Sequence, residues 1–145
     1  MIELRGYQDR LISQARAKIA GGCRRLLLQS PAGSGKTVMA SYMVKGVRER
    51  NMRAMFLVHR EELMRQASRT FKSFGIHHGF VASFINMDAR QPVLIAMIDT
   101  LRNRLDKVPP PDFLLVDECH HAASPSWLKV ISYFVERGTI VVGLS

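Results

Sequence analysis

Apolar residues along this chain fall into two kinds of run that alternate. Residues 7–20, YQDRLISQARAKIA, carry Leu11, Ile12, Ala15 and Ile19 at the spacing of one helical face. Gly21-Gly22 supply a helix stop. Residues 24–29, RRLLLQ, form the short continuous apolar run of a buried parallel strand. A helix is predicted from about 36 to 50, a second strand over AMFLVH at 54–59, and an amphipathic helix over 61–74. In that last helix Leu63, Ala67, Phe71 and Phe74 lie near one stripe. GFVASF at 79–84 and VLIAM at 93–97 predict two more strands, and a short helix covers 99–105. VPPP at 108–111 is punctuation, because proline cannot continue a helix. FLLVDE at 113–118 is an apolar strand ending in two carboxylates. A helix over 125–136 and the strand TIVVGL at 139–144 complete the pattern.

Buried strands alternating with helices predict an α/β fold with a mostly parallel sheet sandwiched by helices. No repeat, low-complexity tract or linker interrupts it, so residues 1–145 are expected to form one domain. Domains seldom stop on a strand, so the expectation is a piece of something longer.

The junction between the first strand and the second helix carries the chemistry. Ser30-Pro31-Ala32-Gly33-Ser34-Gly35-Lys36-Thr37 joins a predicted strand to a predicted helix, the context a phosphate-binding loop requires. Gly33 and Gly35 permit backbone angles that turn successive amides inward around a phosphate. The helix start adds its positive end. Lys36 reaches the β- and γ-phosphates of a nucleotide, and the Thr37 hydroxyl is a ligand for Mg²⁺. The strict pattern begins with Gly where this chain has Ser30. The bland alternative is a Gly-Ser turn that happens to precede Lys-Thr.

Asp117 and Glu118 end the FLLV strand, and a carboxylate at the C-terminal end of a parallel strand faces the ligand crevice. Asp117 is placed to hold Mg²⁺ through water, and Glu118 to polarise the water that attacks a γ-phosphate. Standing alone, the pair would read as a solvated acidic loop. The loop at Lys36 makes it the second half of a nucleotide site.

Charge changes the picture next. Lys plus Arg total 21 against 12 Asp plus Glu, a formal charge of +9. That surplus points to a polyanionic partner, commonly nucleic acid, or to a solubility charge spread over the surface. Cys23 and Cys119 give no disulfide framework and no Cys-x-x-Cys pair, which fits a reducing compartment and argues against a zinc knuckle. No apolar run reaches the roughly 18–20 residues that span a bilayer. The start, MIELRGYQDR, is not a secretory signal. A cytoplasmic protein with no membrane partner is expected.

SPAGSGKT and DECH, in this order, resemble motifs I and II of superfamily 2 helicases and translocases. The resemblance runs essentially the whole chain. It implies a RecA-like P-loop NTPase domain that is the first lobe of a two-lobed motor, with ATP and Mg²⁺ as cofactors. It also implies a nucleotide-binding set of Pro31, Ala32, Gly33, Ser34, Gly35, Lys36, Thr37 and Val38, with Lys36 and Glu118 catalytic and Thr37 and Asp117 at the metal. Leu4-Arg5-Gly6-Tyr7-Gln8 resembles the adenine-reading segment, with Gly6 where relatives have Pro. By similarity Gln8 bonds the adenine edge and Arg5 packs beside the base. From the residues alone, Gln8 reads first as a polar residue in a helix's first turn. His59-Arg60-Glu61-Glu62-Leu63 is similar to motif Ia, whose loop touches the nucleic-acid backbone, so His59 and Arg60 are candidate contacts. The alternative is a helix N-terminus with ordinary surface charges. Thr100-Leu101 is similar to a further contact segment, although Asp99 stands where relatives often carry Gln. Val141 to Ser145 resembles the approach to motif III, and a second RecA-like lobe with its arginine finger is expected beyond it. The subgroup resembled is that of RadD-type repair helicases, phage helicases and translocating subunits of restriction enzymes, which favours DNA over RNA. Two rivals remain: another P-loop phosphotransferase, and a nucleic-acid-binding module with a vestigial nucleotide site.

Overall fold

A computed structural model describes residues 6–28, 35–85, 87–117 and 124–144. The chain builds α1 (Gly6–Ala20), β1 (Arg25–Leu28), α2 (Lys36–Glu49), β2 (Ala54–Val58), α3 (Glu61–Ser73) and β3 (Gly79–Val81). Then follow β4 (Val93–Met97), α4 (Ile98–Leu101), a 3-10 turn over Leu105–Lys107, β5 (Phe113–Asp117), α5 (Pro125–Val135) and β6 (Ile140–Leu144). The six strands form one sheet in the order β1-β6-β5-β2-β4-β3, and every pairing is parallel.

Strand alternation divides the core into two layers. Ala54, Phe56 and Val58 of β2 face one side with Ile95, Leu115 and Val142. Met55 and Leu57 face the other with Leu94, Ala96, Leu114 and Val116. The first layer is covered by α1, α2 and α3 through Ala15, Val44, Met64 and Phe71. The second is covered by α4 and α5 through Leu101, Trp127, Val130 and Phe134. Burial on both faces explains why the inner strands read as unbroken apolar runs. The helix layer follows the direction of travel. Going from β1 to β2 and on to β3 places α2 and α3 on one face. Returning from β4 through β5 to β6 places α4 and α5 on the other, as right-handed crossovers require.

Helices α1, α2, α3 and α5 each end through a left-handed residue, at Gly22, Asn51, Gly75 and Gly138. The amide that follows each of these bonds back five residues, as from Ile76 to Phe71 at 2.9 Å and from Thr139 to Phe134 at 3.0 Å. The expected stop at Gly21-Gly22 is one of these caps.

Two expected boundaries move. The strand expected over 79–84 ends at Val81, because a turn from Ala82 to Ile85 takes the chain off the sheet edge, closed by a 3.4 Å backbone bond. The helix expected over 99–105 is one turn, Ile98–Leu101. There the Asn103 amide donates to the Asp99 carbonyl at 3.4 Å, offering that oxygen a side-chain partner just where the turn would propagate. No described helix is long and apolar enough to cross a membrane.

Candidate nucleotide site and nucleic-acid edge

The residues singled out by sequence gather along the C-terminal ends of the strands, the edge where open α/β sheets bind ligands. Arg5, Pro31, Ala32, Gly33, Ser34, Glu118 and Ser145 lie outside the described residues. Those within them form two adjacent zones.

The first zone spans β1, β6 and β5. The register aligns Leu28 with Leu144, and Leu144 with Asp117, in one row across three strands. The end of β1 is therefore about 9.5 Å from the end of β5, two inter-strand spacings. Asp117 is 7% exposed, so it ends β5 as a buried residue and not as part of a solvated loop.

Gly35 caps α2 with φ 78° and ψ 42°, the left-handed region. Its carbonyl accepts the helix's early bond from the Met39 amide at 3.0 Å. A Cβ at this position would meet Gln8 Nε2 at 2.7 Å, closer than side chains approach one another. Both backbone angle and space therefore require glycine here. Lys36 and Thr37 open the helix half-buried, where the helix dipole favours an anion. Ser41 Oγ donates to the Thr37 carbonyl at 2.9 Å inside the helix. Val38 packs against the first core layer, which anchors the start of the helix.

Gln8 is 3% exposed, and its Nε2 donates to the Gly35 carbonyl across a long 3.5 Å contact. A first-turn surface residue would not be buried so. The structure ties α1 to the end of the phosphate loop through this amide, a link between residues 27 positions apart.

Oxygen donors suit a hard cation such as Mg²⁺. Asp117 offers a carboxylate and Thr37 a hydroxyl. Among the described residues no group of three His, Cys, Asp or Glu side chains is close enough to hold a metal unaided. A cation bound here would complete its shell with water and phosphate oxygens, the ordinary habit of Mg²⁺.

The second zone lies over β2 and β4. Arg60 is the extended N-cap of α3, and its guanidinium pairs with Glu62 at 3.2 Å while 59% of the side chain stays exposed. His59 turns the other way. Its ring meets the buried Trp127 of α5 edge-on, with centroids 6.4 Å apart. Thr100 is half-buried on α4 beside the exposed Asp99. The register places Val58 opposite Met97, which brings Arg60 and Thr100 to the same edge from neighbouring strands.

Two cavities of about 290 and 440 Å³ open at the opposite edge of the sheet, beside Met52 and Phe113 and beside Ile76 and Pro92. Neither is lined by a residue that the sequence singled out for the site.

Sequence reasoning passed over Phe84. It sits 48% exposed on the turn after β3, next to Arg65. Apolar periodicity counts such a residue as core, and only the turn shows it is not.

The family described as "Type III restriction enzyme, res subunit" matches residues 1–145. Irc3 of Schizosaccharomyces pombe, described as a mitochondrial ATP-dependent helicase, is 32% identical over 141 residues, covering 92% of this chain and 23% of its own. A 51.5 kDa protein of a Lactococcus phage is 30% identical over 110 residues, covering 76% of this chain and 22% of its own. The chain thus spans under a quarter of the length of these curated relatives. Among solved structures, the UvsW helicase of bacteriophage T4 superposes with a TM-score of 0.76 at 20% identity, covering 99% of this chain and 52% of that one. The type ISP restriction-modification enzyme LlaGI, a nuclease-deletion mutant bound to a DNA substrate mimic, gives 0.74 at 17% identity, covering 99% of this chain and 17% of that one. The parallel six-stranded sheet with helices on both faces is the RecA-like fold of these helicase domains.

Proposed function

We propose that this chain, which belongs to the type III restriction enzyme res-subunit family, is the first, ATP-binding lobe of an ATP-dependent DNA helicase or translocase. One observation carries the reading most: the row Leu28, Leu144, Asp117 sets a buried carboxylate two strands from the end of β1, and the next helix in the chain opens at a left-handed Gly35 with Lys36-Thr37. Phosphate chemistry accounts for all three features at once.

In this reading residues 31–34, Gly35 and Val38 supply backbone amides to the phosphates. Lys36 places a cation against the β- and γ-oxygens, where negative charge redistributes in the transition state. Thr37 and Asp117 hold Mg²⁺, which when bound neutralises phosphate charge and fixes the γ-phosphate in line. Glu118 accepts a proton from the attacking water. Gln8 and Arg5 read the adenine. The bond from Gln8 to Gly35 gives that reading a mechanical consequence, because a base held by α1 is then coupled to the loop holding the phosphates. Arg60 and Thr100 take the nucleic-acid backbone along the neighbouring edge. His59, seated on Trp127, couples that edge to α5, which follows the acidic segment.

DNA is preferred to RNA because the resemblance lies with repair and restriction translocases. A second RecA-like lobe would close on ATP and supply an arginine finger. Lacking that finger costs about 10³–10⁵ in rate in related phosphoryl-transfer systems, so this lobe alone should bind nucleotide weakly and hydrolyse it negligibly. Cytoplasmic residence belongs to the same proposal.

The test is nucleotide hydrolysis by the two-lobed protein carrying this sequence, with and without DNA or RNA. Hydrolysis stimulated by DNA and abolished by Glu118→Gln is expected. Stimulation by RNA alone would overturn the choice of DNA, and transfer of phosphate to an acceptor other than water would overturn the motor reading.

A further inference from the structure

The turn Ala82–Ile85 holds an aromatic ring in solvent by construction. Ala82 is fully buried at the end of β3. Ile85 packs on the first core layer, and Met87, after it, packs on the second. The chain therefore wraps around the edge strand with both ends anchored. Between the anchors, Phe84 projects and keeps 48% of its surface open. Isolated exposed apolar residues are ordinary, and Leu27 and Leu128 are others. Phe84 differs in its company and its place.

The Arg65 guanidinium lies 5.8 Å from the ring centroid. Glu61 holds that guanidinium at 2.7 Å, one helical turn back, so the cation is positioned and not waving. The ring stands at the C-terminal end of β3, and Arg60 stands at the C-terminal end of β2, on the same edge of the sheet. A flat aromatic beside one arginine, with a second arginine two strands away on the same edge of a chain of formal charge +9, is the pattern by which proteins hold unpaired bases: cations follow the phosphates and the ring stacks on a base.

We infer that Phe84 is a stacking contact for an unpaired base of a single-stranded segment, with Arg65 and Arg60 on the flanking phosphates. The inference rests on the nucleic-acid reading above and deepens it. Phosphate contacts position a strand without distinguishing paired from unpaired bases. A ring on this edge does distinguish them, because a base inside a duplex already has both faces covered. The sheet's outer corner thus selects single strand over duplex.

The test compares two ligands of equal length and charge, an oligothymidylate and its fully abasic counterpart, in fluorescence anisotropy titrations at low salt. Phe84→Ala is expected to weaken oligothymidylate binding about 5- to 150-fold and to leave the abasic strand within about twofold. Phe84→Trp is expected to retain the wild-type preference. Equal losses on both ligands would mean a structural role, and no loss on oligothymidylate would leave the ring to a protein partner. Either result overturns the inference while the nucleic-acid reading stands. Failure of wild type to bind either strand overturns that reading, and this inference with it.

Discussion

Replacing Gly35 with alanine strikes the candidate site at its tightest point. The residue holds φ 78° and ψ 42°, where an L side chain costs about 1–2 kcal/mol. The added Cβ would stand 2.7 Å from Gln8 Nε2, and that amide is itself buried, with Gln8 only 3% exposed. Pushing it aside breaks its bond to the Gly35 carbonyl and forces a buried side chain out of its place, a further cost of about 1–3 kcal/mol. The two effects together come to about 2–5 kcal/mol, or a fall in Tm of about 4–20 °C for a domain near this size. The pair also separates by a double-mutant cycle. In a Gln8→Ala background the clash is gone, so Gly35→Ala should cost only the backbone share of about 1–2 kcal/mol. Thermal or urea unfolding of the four proteins measures this, and binding of a fluorescent ATP analogue should weaken in both Gly35 variants. If Gly35→Ala costs the same with and without Gln8, the packing described here is wrong.

Further outcomes follow from other parts of the molecule. Thr139→Val keeps side-chain shape but removes the buried 2.7 Å bond to the Pro111 carbonyl, so stability should fall by about 1–3 kcal/mol in urea unfolding. His78 is held below the usual histidine range by burial, against a raising bond to the Ile76 carbonyl and with Lys72 and His77 adding to the lowering. Its folded form therefore binds the proton more weakly than the unfolded chain, so stability is fully present above the unfolded pKa of about 6.5 and declines as pH falls through and below it. Unfolding measured from pH 7.5 downward should show this decline, and it should flatten in His78→Phe, which also loses the 2.7 Å bond with Ser68. Arg60→Ala should weaken single-strand binding evenly across sequences and reduce the slope of log K against log salt by about one, read from titrations at several salt concentrations.

Much of this architecture was legible in sequence, for a physical reason. Central strands buried on both faces, such as Ala54–Val58 and Phe113–Asp117, must be continuously apolar. Helices with one buried face must repeat at helical spacing, as Ile12 and Ala15 or Ala67 and Phe71 do. The start of α2 was legible because a glycine able to turn left-handed, Gly35, stands directly before the helix. What stayed hidden depends on contacts between distant segments. Gln8 looks like any first-turn amide until folding sets it against Gly35. The contact of His59 with Trp127 forms only once α5 is brought over the end of β2. Phe84 looks like the inward end of a strand until the turn at Ala82 carries it outside. The early end of α4 escaped notice because its successor residues keep helical composition while Asn103 bonds back to the backbone.

Titration of wild-type protein and Lys36→Ala with a fluorescent ATP analogue, in the presence and absence of Mg²⁺, tests the central claim most directly. Lysine at a helix N-terminus gains nothing from the dipole, so the substitution should leave the unliganded fold intact, as thermal unfolding can verify. The account predicts saturable, Mg²⁺-dependent binding to wild type that Lys36→Ala loses. Equal binding by both proteins, or no binding by a folded wild type joined to its second lobe, would contradict it.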